Sequence, residues 1–156
     1  MATRNILLRG GDARDIAAIE TLMAQAFDPR FGEAWNRGQT LGVMAMPGVR
    51  LMLAYVDDIP VGFAMTRTVI DEAELLLLAV VPATRRAGIA TALLRSVEAD
   101  GRDAGVRQLH LEVRAGNEAV KLYARAGFAK VGERRNYYRG ADMQAHDAHT
   151  YLKMLA

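Results

Sequence analysis

Residues Leu75–Phe128 read LLLLAVVPATRRAGIATALLRSVEADGRDAGVRQLHLEVRAGNEAVKLYARAGF. Leu75 to Val81 is apolar without alternation, as a strand buried on both faces would be, and Pro82 stops the run too soon for a helix. Beyond it, Ile89, Leu93, Leu94 and Val97 recur at helical spacing, while Arg95, Glu98 and Arg102 face away from them. Gly88 and Ala90 therefore fall in the first turn of a helix, where backbone N–H groups have no intrahelical partner. Small side chains there leave room for an anion, the helix dipole favours one, and Arg85 and Arg86 add positive charge. The loop predicts a phosphate or pyrophosphate site. Taken alone, it reads equally well as an ordinary strand-to-helix turn with two solvated arginines.

The second half of the stretch is more specific. Gln108 to Arg114 alternates, with Leu109, Leu111 and Val113 on one face and His110, Glu112 and Arg114 on the other. Asn117 is suited to cap the helix that follows, and Gly127 to end it at C′. Between them Ala119, Val120, Leu122, Tyr123 and Ala126 form an apolar face, with Tyr123 near its edge. The whole stretch is strand, anion-binding turn, helix, strand, helix.

Arg85-x-x-Gly88-x-Ala90 resembles the acyl-CoA pyrophosphate loop of the GNAT superfamily of N-acetyltransferases. The series Leu111-Glu112-Val113-Arg114-Ala115-Gly116-Asn117-Glu118-Ala119, Leu122-Tyr123, Gly127-Phe128 and Arg134-Arg135-Asn136-Tyr137-Tyr138 is similar to the bacterial ribosomal-protein-alanine N-acetyltransferases within it. The resemblance runs from about Asp71 to Tyr138. It implies a mixed α/β (α+β) fold with a mostly antiparallel central sheet flanked by helices, and acetyl-CoA as cosubstrate. It assigns the acyl donor to Leu78, Ala79 and Val80 on the strand, to Arg85, Arg86, Ala87, Gly88, Ile89 and Ala90 in the loop, and to Asn117. It makes Glu112 the proton acceptor and Tyr123 the acid; Tyr137 and Tyr138 are expected to line the acceptor's N-terminus, with Phe27, Trp35 and Met44 half core and half rim of that pocket. Two departures stand out. Gly116 replaces the family's usual serine, and Phe27-Asp28-Pro29-Arg30-Phe31-Gly32-Glu33-Ala34-Trp35 replaces its short Phe-Pro-Trp substrate-loop motif.

The rest of the chain bounds these expectations. At 156 residues it is long enough for one domain, spanning 1–156, with a core of its own. It has no cysteine, so a disulfide framework, a thiol nucleophile and a cysteine metal site are excluded. The three histidines, His110, His146 and His149, lack metal-ligand spacing, and no metal is expected. A net charge of +2 gives no electrostatic case for direct nucleic-acid binding. No stretch has the length of a membrane span or the architecture of a signal peptide, so a cytoplasmic protein is expected, as a monomer or weak homodimer.

In chain order, Asn5–Arg9 predicts a strand and Gly10-Gly11 a turn. Asp12 caps a helix whose buried stripe is Ile16, Ile19, Met23, Ala26 and Phe27. Glu33–Ala45 predicts a second helix carrying Trp35, Leu41 and Met44. Val49–Val56 and Ile59–Ile70 predict a hairpin turning at Asp57-Asp58. Ala129–Tyr138 predicts a strand, Arg139–Asp147 a polar loop and His149–Leu155 a last strand. The predicted order is β-α-α-β-β-β-α-β-α-β-β.

Acyl transfer to an amine needs a base, because an ammonium is not a nucleophile; an α-amino group, with a pKa of about 8, needs only a modest one. It also needs a donor for the oxyanion, which the family's geometry places at a backbone N–H near Leu78 to Val80. By pattern alone Glu112 is a solvated strand residue and Tyr123 a core tyrosine with a wet hydroxyl; the resemblance turns both into catalytic candidates. No nucleophile stands out, so direct transfer is expected. The expected acceptor is a protein N-terminus, in the first instance the N-terminal alanine of a ribosomal protein. The alternatives are another amine (a lysine or a small molecule), an acyl-CoA-binding sensor without turnover, and an RNA-binding patch at Arg134, Arg135, Tyr137 and Tyr138. The acidic cluster Asp71, Glu72 and Glu74 reads as a solvated turn or a contact for a basic peptide.

Overall fold

The computed structural model describes residues 5–85 and 87–155. Its strands are β1 (Ile6–Gly11), β2 (Val49–Val56), β3 (Ile59–Val69), β4 (Glu72–Val80), β5 (Gln108–Arg114), β6 (Ala129–Arg139) and β7 (Ala145–Met154). Its helices are α1 (Ile16–Ala26), α2 (Arg37–Met44), α3 (Ile89–Asp103) and α4 (Ala119–Arg125). The element order is the predicted one. The strands form one sheet in the order β1-β2-β3-β4-β5-β7-β6, antiparallel except where β4 meets β5.

Local chemistry sets the boundaries. The hairpin between β2 and β3 turns on Asp57 and Asp58, both at positive φ (51° and 63°), the left-handed pair a two-residue turn requires. Asp12 and Asp15 form a capping box over one 3-10 turn, and α1 starts behind it. Leu22 joins Ile16, Ile19 and Met23 in its buried face, whereas Ala26 and Phe27 at its end are only half-buried. The second helix is shorter than predicted. Asn36 and Gln39 make a reciprocal capping box that fixes its start at Arg37, so Glu33 and Trp35 lie in the segment before it. The polar loop before β7 is also shorter, since pairing of β6 with β7 continues to Arg139↔Ala145.

The core joins Ile19, Leu22 and Met23 of α1, the central positions of β2 to β5, and Ile89, Leu93 and Leu94 of α3. Glu98 does not face away from this packing: it is buried, and Lys153 of β7 donates to its carboxylate. Helical periodicity placed Glu98 on the polar side, but α3 is also covered by the C-terminal strand. A carboxylate trapped there requires a paired cation.

One feature of the sheet creates the site. β4 and β5 pair only from Glu72↔Gln108 to Leu75↔Leu111. At Leu76, β4 carries an extra residue relative to β3, a bulge that bends the strand. β4 then continues to Val80 and β5 to Arg114 without pairing to each other, and a wedge opens between them. Every second backbone N–H and C=O on that edge of β4 is left without a sheet partner.

Candidate active site

A cavity of about 700 Å³ fills the wedge. Leu78, Ala79 and Val80 of β4 form one wall, and Asn117, Ala119 and Leu122 around the start of α4 form another. Gly88, Ile89, Ala90 and Thr91 close one end. At the loop predicted to take an anion, the start of α3 is left open. Gly88 is the N-cap of α3 at φ +83°, no side chain caps it, and a Cβ built there would meet no atom within 4 Å. The amides of the first helical turn therefore open onto the cavity with space in front of them.

The loop arginines divide. Arg85 lines the cavity, but it is also a strut: Nη2 donates to the Ala26 carbonyl (2.9 Å) and Nε to that of Val80 (3.3 Å). Arg86 lies outside the described residues. Ala87 is exposed, its N–H donates to the Thr84 carbonyl (3.3 Å), and it is not part of the cavity lining.

Asn117 sits one position further from its helix than a true N-cap, because α4 begins at Ala119. It still serves the helix end, with Oδ1 accepting from Ala119 N (2.9 Å) while Nδ2 donates to Glu33 Oε2 (3.0 Å). Gly127, at φ +95°, stands at C′ as predicted.

Glu112 projects from β5 beside the wedge and does not line the cavity. Its Oε2 accepts from Thr150 Oγ1 (2.8 Å) and its Oε1 faces Arg134 Nε (3.2 Å), so both oxygens are held. Tyr138 is half-buried, and its hydroxyl stands 3.5 Å from the Glu112 carbonyl oxygen. Tyr123 is buried rather than at the edge of α4's apolar face, packed edge-on against Phe128. Burial raises its pKa above the usual tyrosine value, and the Glu33 charge adds to that. Tyr138 is raised for the same two reasons, in the same order.

Of the remaining predicted acceptor residues, Phe27 lines the cavity. Trp35 packs against the core, its N–H donating to Met23 Sδ (3.4 Å). Tyr137 is exposed and stands edge-on to Tyr138. Pattern reading missed Glu33, Arg114 and Thr150. Glu33 falls in the predicted second helix, Arg114 belongs to the polar face of β5 and to the Leu111–Ala119 motif but has no role of its own there, and Thr150 becomes relevant only through the Glu112↔Thr150 register. None of the three carries a local signal. Among the described residues no cluster of three or more His, Asp or Glu is placed to hold a metal, and no helix is long and apolar enough to cross a membrane.

The family model described as an acetyltransferase (GNAT) domain matches residues 20–145. The chain belongs to the GNAT acetyltransferase family. It is 34% identical over 138 residues to a [ribosomal protein bS18]-alanine N-acetyltransferase of Haemophilus ducreyi, covering 83% of this chain and 94% of that one. It is 36% identical over 142 residues to the N-alpha-acetyltransferase RimI of Mycobacterium tuberculosis, covering 86% and 85%. The crystal structure of the ribosomal-protein-S18-alanine N-acetyltransferase from Escherichia coli superposes with a TM-score of 0.87 at 28% identity, over 97% of this chain and 95% of that one. The wedge, the uncapped α3 and the bent β4 are thus parts of an acetyltransferase fold.

Proposed function

We propose that this acetyltransferase moves acetyl from acetyl-CoA to the α-amino group of a protein N-terminus, in the first instance the N-terminal alanine of a ribosomal protein. The observation that carries the reading is the wedge. It joins an open β4 edge, which suits a thioester carbonyl, to an uncapped helix N-terminus, which suits a pyrophosphate. The choice of amine is supported by the relatives, whose names specify N-terminal acetylation.

In this reading Leu78 to Val80 flank the acetyl group, Gly88 to Ala90 receive the pyrophosphate, and Asn117 holds the rest of the donor. Arg85 and Ala87 shape the loop, Arg85 by bracing it against α1 and β4. Glu112 takes the proton of the incoming ammonium, directly or through a water, with Thr150 and Arg134 fixing its carboxylate. The amine nitrogen attacks the thioester carbonyl, the tetrahedral intermediate collapses with cleavage of the C–S bond, and the second proton of the former amine passes to the departing thiolate, directly or through water, to leave the amide and CoA thiol. A tyrosine whose pKa is raised by burial holds its proton firmly. Tyr123 therefore serves the sulfur by donating a hydrogen bond as charge develops, rather than by surrendering the proton. Phe27, Trp35, Tyr137 and Tyr138 belong to the acceptor side. A ribosomal acceptor sets the reaction in the cytoplasm, with neither nucleic acid nor membrane as direct partner.

The test is mass-spectrometric acetylation of a peptide panel with free or blocked α-amino groups, some bearing lysine. The expected result is acetylation confined to free N-termini and strongest after an alanine start. Acetylation of lysine or a small amine instead would replace the acceptor while leaving the chemistry, and CoA binding without transfer to any amine would make the protein an acyl-CoA sensor.

A further inference from the structure

Glu33 has no place in the chemistry above, yet among the carboxylates lining the cavity it is the one whose partners lie in two other elements. It stands in an irregular segment between α1 and α2, and its side chain is only 10% exposed. Its two oxygens serve two different elements. Oε1 accepts from Arg114 Nε at the end of β5 (3.1 Å), and Oε2 accepts from Asn117 Nδ2 ahead of α4 (3.0 Å). Asn117 is thereby held at both ends of its amide, since Oδ1 is committed to Ala119 N. Arg114 is held on a second side as well. Its guanidinium lies 3.7 Å from the ring centroid of Phe31, which stands edge-on to His146 of β7. The same segment is joined to the turn between β6 and β7, where Ala141 N donates to the Pro29 carbonyl (3.0 Å).

We propose that Glu33 is a positioning residue that builds the donor cavity and the acceptor wall as one unit: it fixes the Asn117 amide on the donor side and, through Arg114 and Phe31, the wall that the acceptor meets. The kinetic half of this inference rests on the acetyltransferase reading with a protein N-terminus as acceptor. The binding half needs only that CoA enters the cavity. Its charge bears on Tyr123 and Tyr138 alike, which is consistent with a carboxylate standing between the two halves of the site. Loss of a partly buried ion pair that only stabilised the fold would lower the melting temperature and touch nothing else.

The experiment uses the full chain with Glu33→Ala, Glu33→Gln, Asn117→Ala and the Glu33→Ala/Asn117→Ala pair. CoA affinity is measured by calorimetry, folding by thermal melting, and rates with acetyl-CoA and a peptide bearing a free N-terminal alanine. Loss of a charge-assisted hydrogen bond should weaken CoA by about tenfold in Glu33→Ala. The double variant should be no weaker than the worse single, because both changes remove one contact. Acceptor KM should rise by about tenfold while kcat stays within about threefold. Glu33→Gln keeps the volume and one acceptor oxygen, which the Arg114 guanidinium claims, so it should recover the acceptor KM but not the CoA affinity; it also substitutes for Glu33→Ala if the latter does not fold. Unchanged CoA affinity in folded Glu33→Ala, or effects additive with Asn117→Ala, would overturn the proposal, as would a fall in kcat with KM unchanged. If the wild type acetylates no amine, the acetyltransferase reading fails by itself, and the CoA cycle still decides the role of Glu33.

Discussion

The two halves of the site are held by different forces. The proposed donor half consists of regular elements: β4 bent at its bulge, the uncapped start of α3, and the first turn of α4. Backbone hydrogen bonds and a periodic apolar core fix its shape. The proposed acceptor wall consists of an irregular segment before α2, which Glu33 ties to β5 and α4, and the turn between β6 and β7, which Ala141 N ties to the Pro29 carbonyl. Two glycines make that junction possible. A Cβ on Gly32 would overlap the Arg139 carbonyl, and one on Gly140 would overlap that of Arg30. The donor half is thus rigid by construction, and the wall depends on individual side chains and close backbone approaches.

The sharpest way to break this division is at Glu112, which lies between the halves. Glu112→Gln keeps the Thr150 contact but removes the base, and should lower kcat by about a hundredfold or more with acetyl-CoA affinity within a few fold. Steady-state rates and calorimetry together check this, and a turnover near that of wild type would remove Glu112 from the mechanism. Next in size is Gly88→Leu. The left-handed backbone at Gly88 costs a side chain about 1 kcal/mol, and the open space in front of it is where the side chain would stand. CoA affinity should fall by about tenfold or more, beyond what the small loss of stability explains. Unchanged affinity in a folded Gly88→Leu protein would move the pyrophosphate away from α3.

The same division explains what could be read from the amino acids. The donor half was legible because its signals are local: the apolar run before Pro82, the spacing of Ile89, Leu93 and Leu94, and the alternation of Leu109, Leu111 and Val113. Even there Glu98 misled, since periodicity shows which side of a helix is polar and not what else covers it. Arg85 was legible as a cation beside the loop but not as a strut, because its carbonyl partners include Ala26, 59 residues away. The wall was not legible. Glu33 reaches Arg114 and Asn117 across 81 and 84 residues, and nothing in its own neighbourhood marks it. The helix predicted from Glu33 starts later because Asn36 and Gln39 form a capping box, a local pair that the reading by Trp35, Leu41 and Met44 does not use.

Gly140→Ala tests the wall without touching the donor half. The added methyl cannot fit against the Arg30 backbone, so the segment before α2 and the β6–β7 turn must separate. A displacement of that size near an acceptor is expected to raise acceptor KM by about tenfold. CoA affinity should stay within about twofold. That holds where the β6–β7 turn yields and Glu33 keeps its hold on Asn117; a matching loss of CoA affinity would show that the segment carrying Glu33 has moved instead.

The smallest expected effect lies at the other end of β4. The turn between β3 and β4 puts Ile70 at φ +58°, a conformation that a β-branched residue resists, and leaves its side chain 90% exposed. Strain of about 1–2 kcal/mol is stored there, with no burial to offset it. Ile70→Gly relieves the strain but adds about 0.5–1 kcal/mol of unfolded-state entropy, so the net gain should be about 0.5–1 kcal/mol, a rise of about 2 °C in Tm. The turn precedes the four residues over which β4 pairs with β5, and the wedge opens only beyond them. If the paired segment insulates the site, acetyl transfer should be unchanged in the stabilised protein. A gain in Tm accompanied by slower turnover would mean that strain at this turn helps to set the angle at which β4 leaves β5.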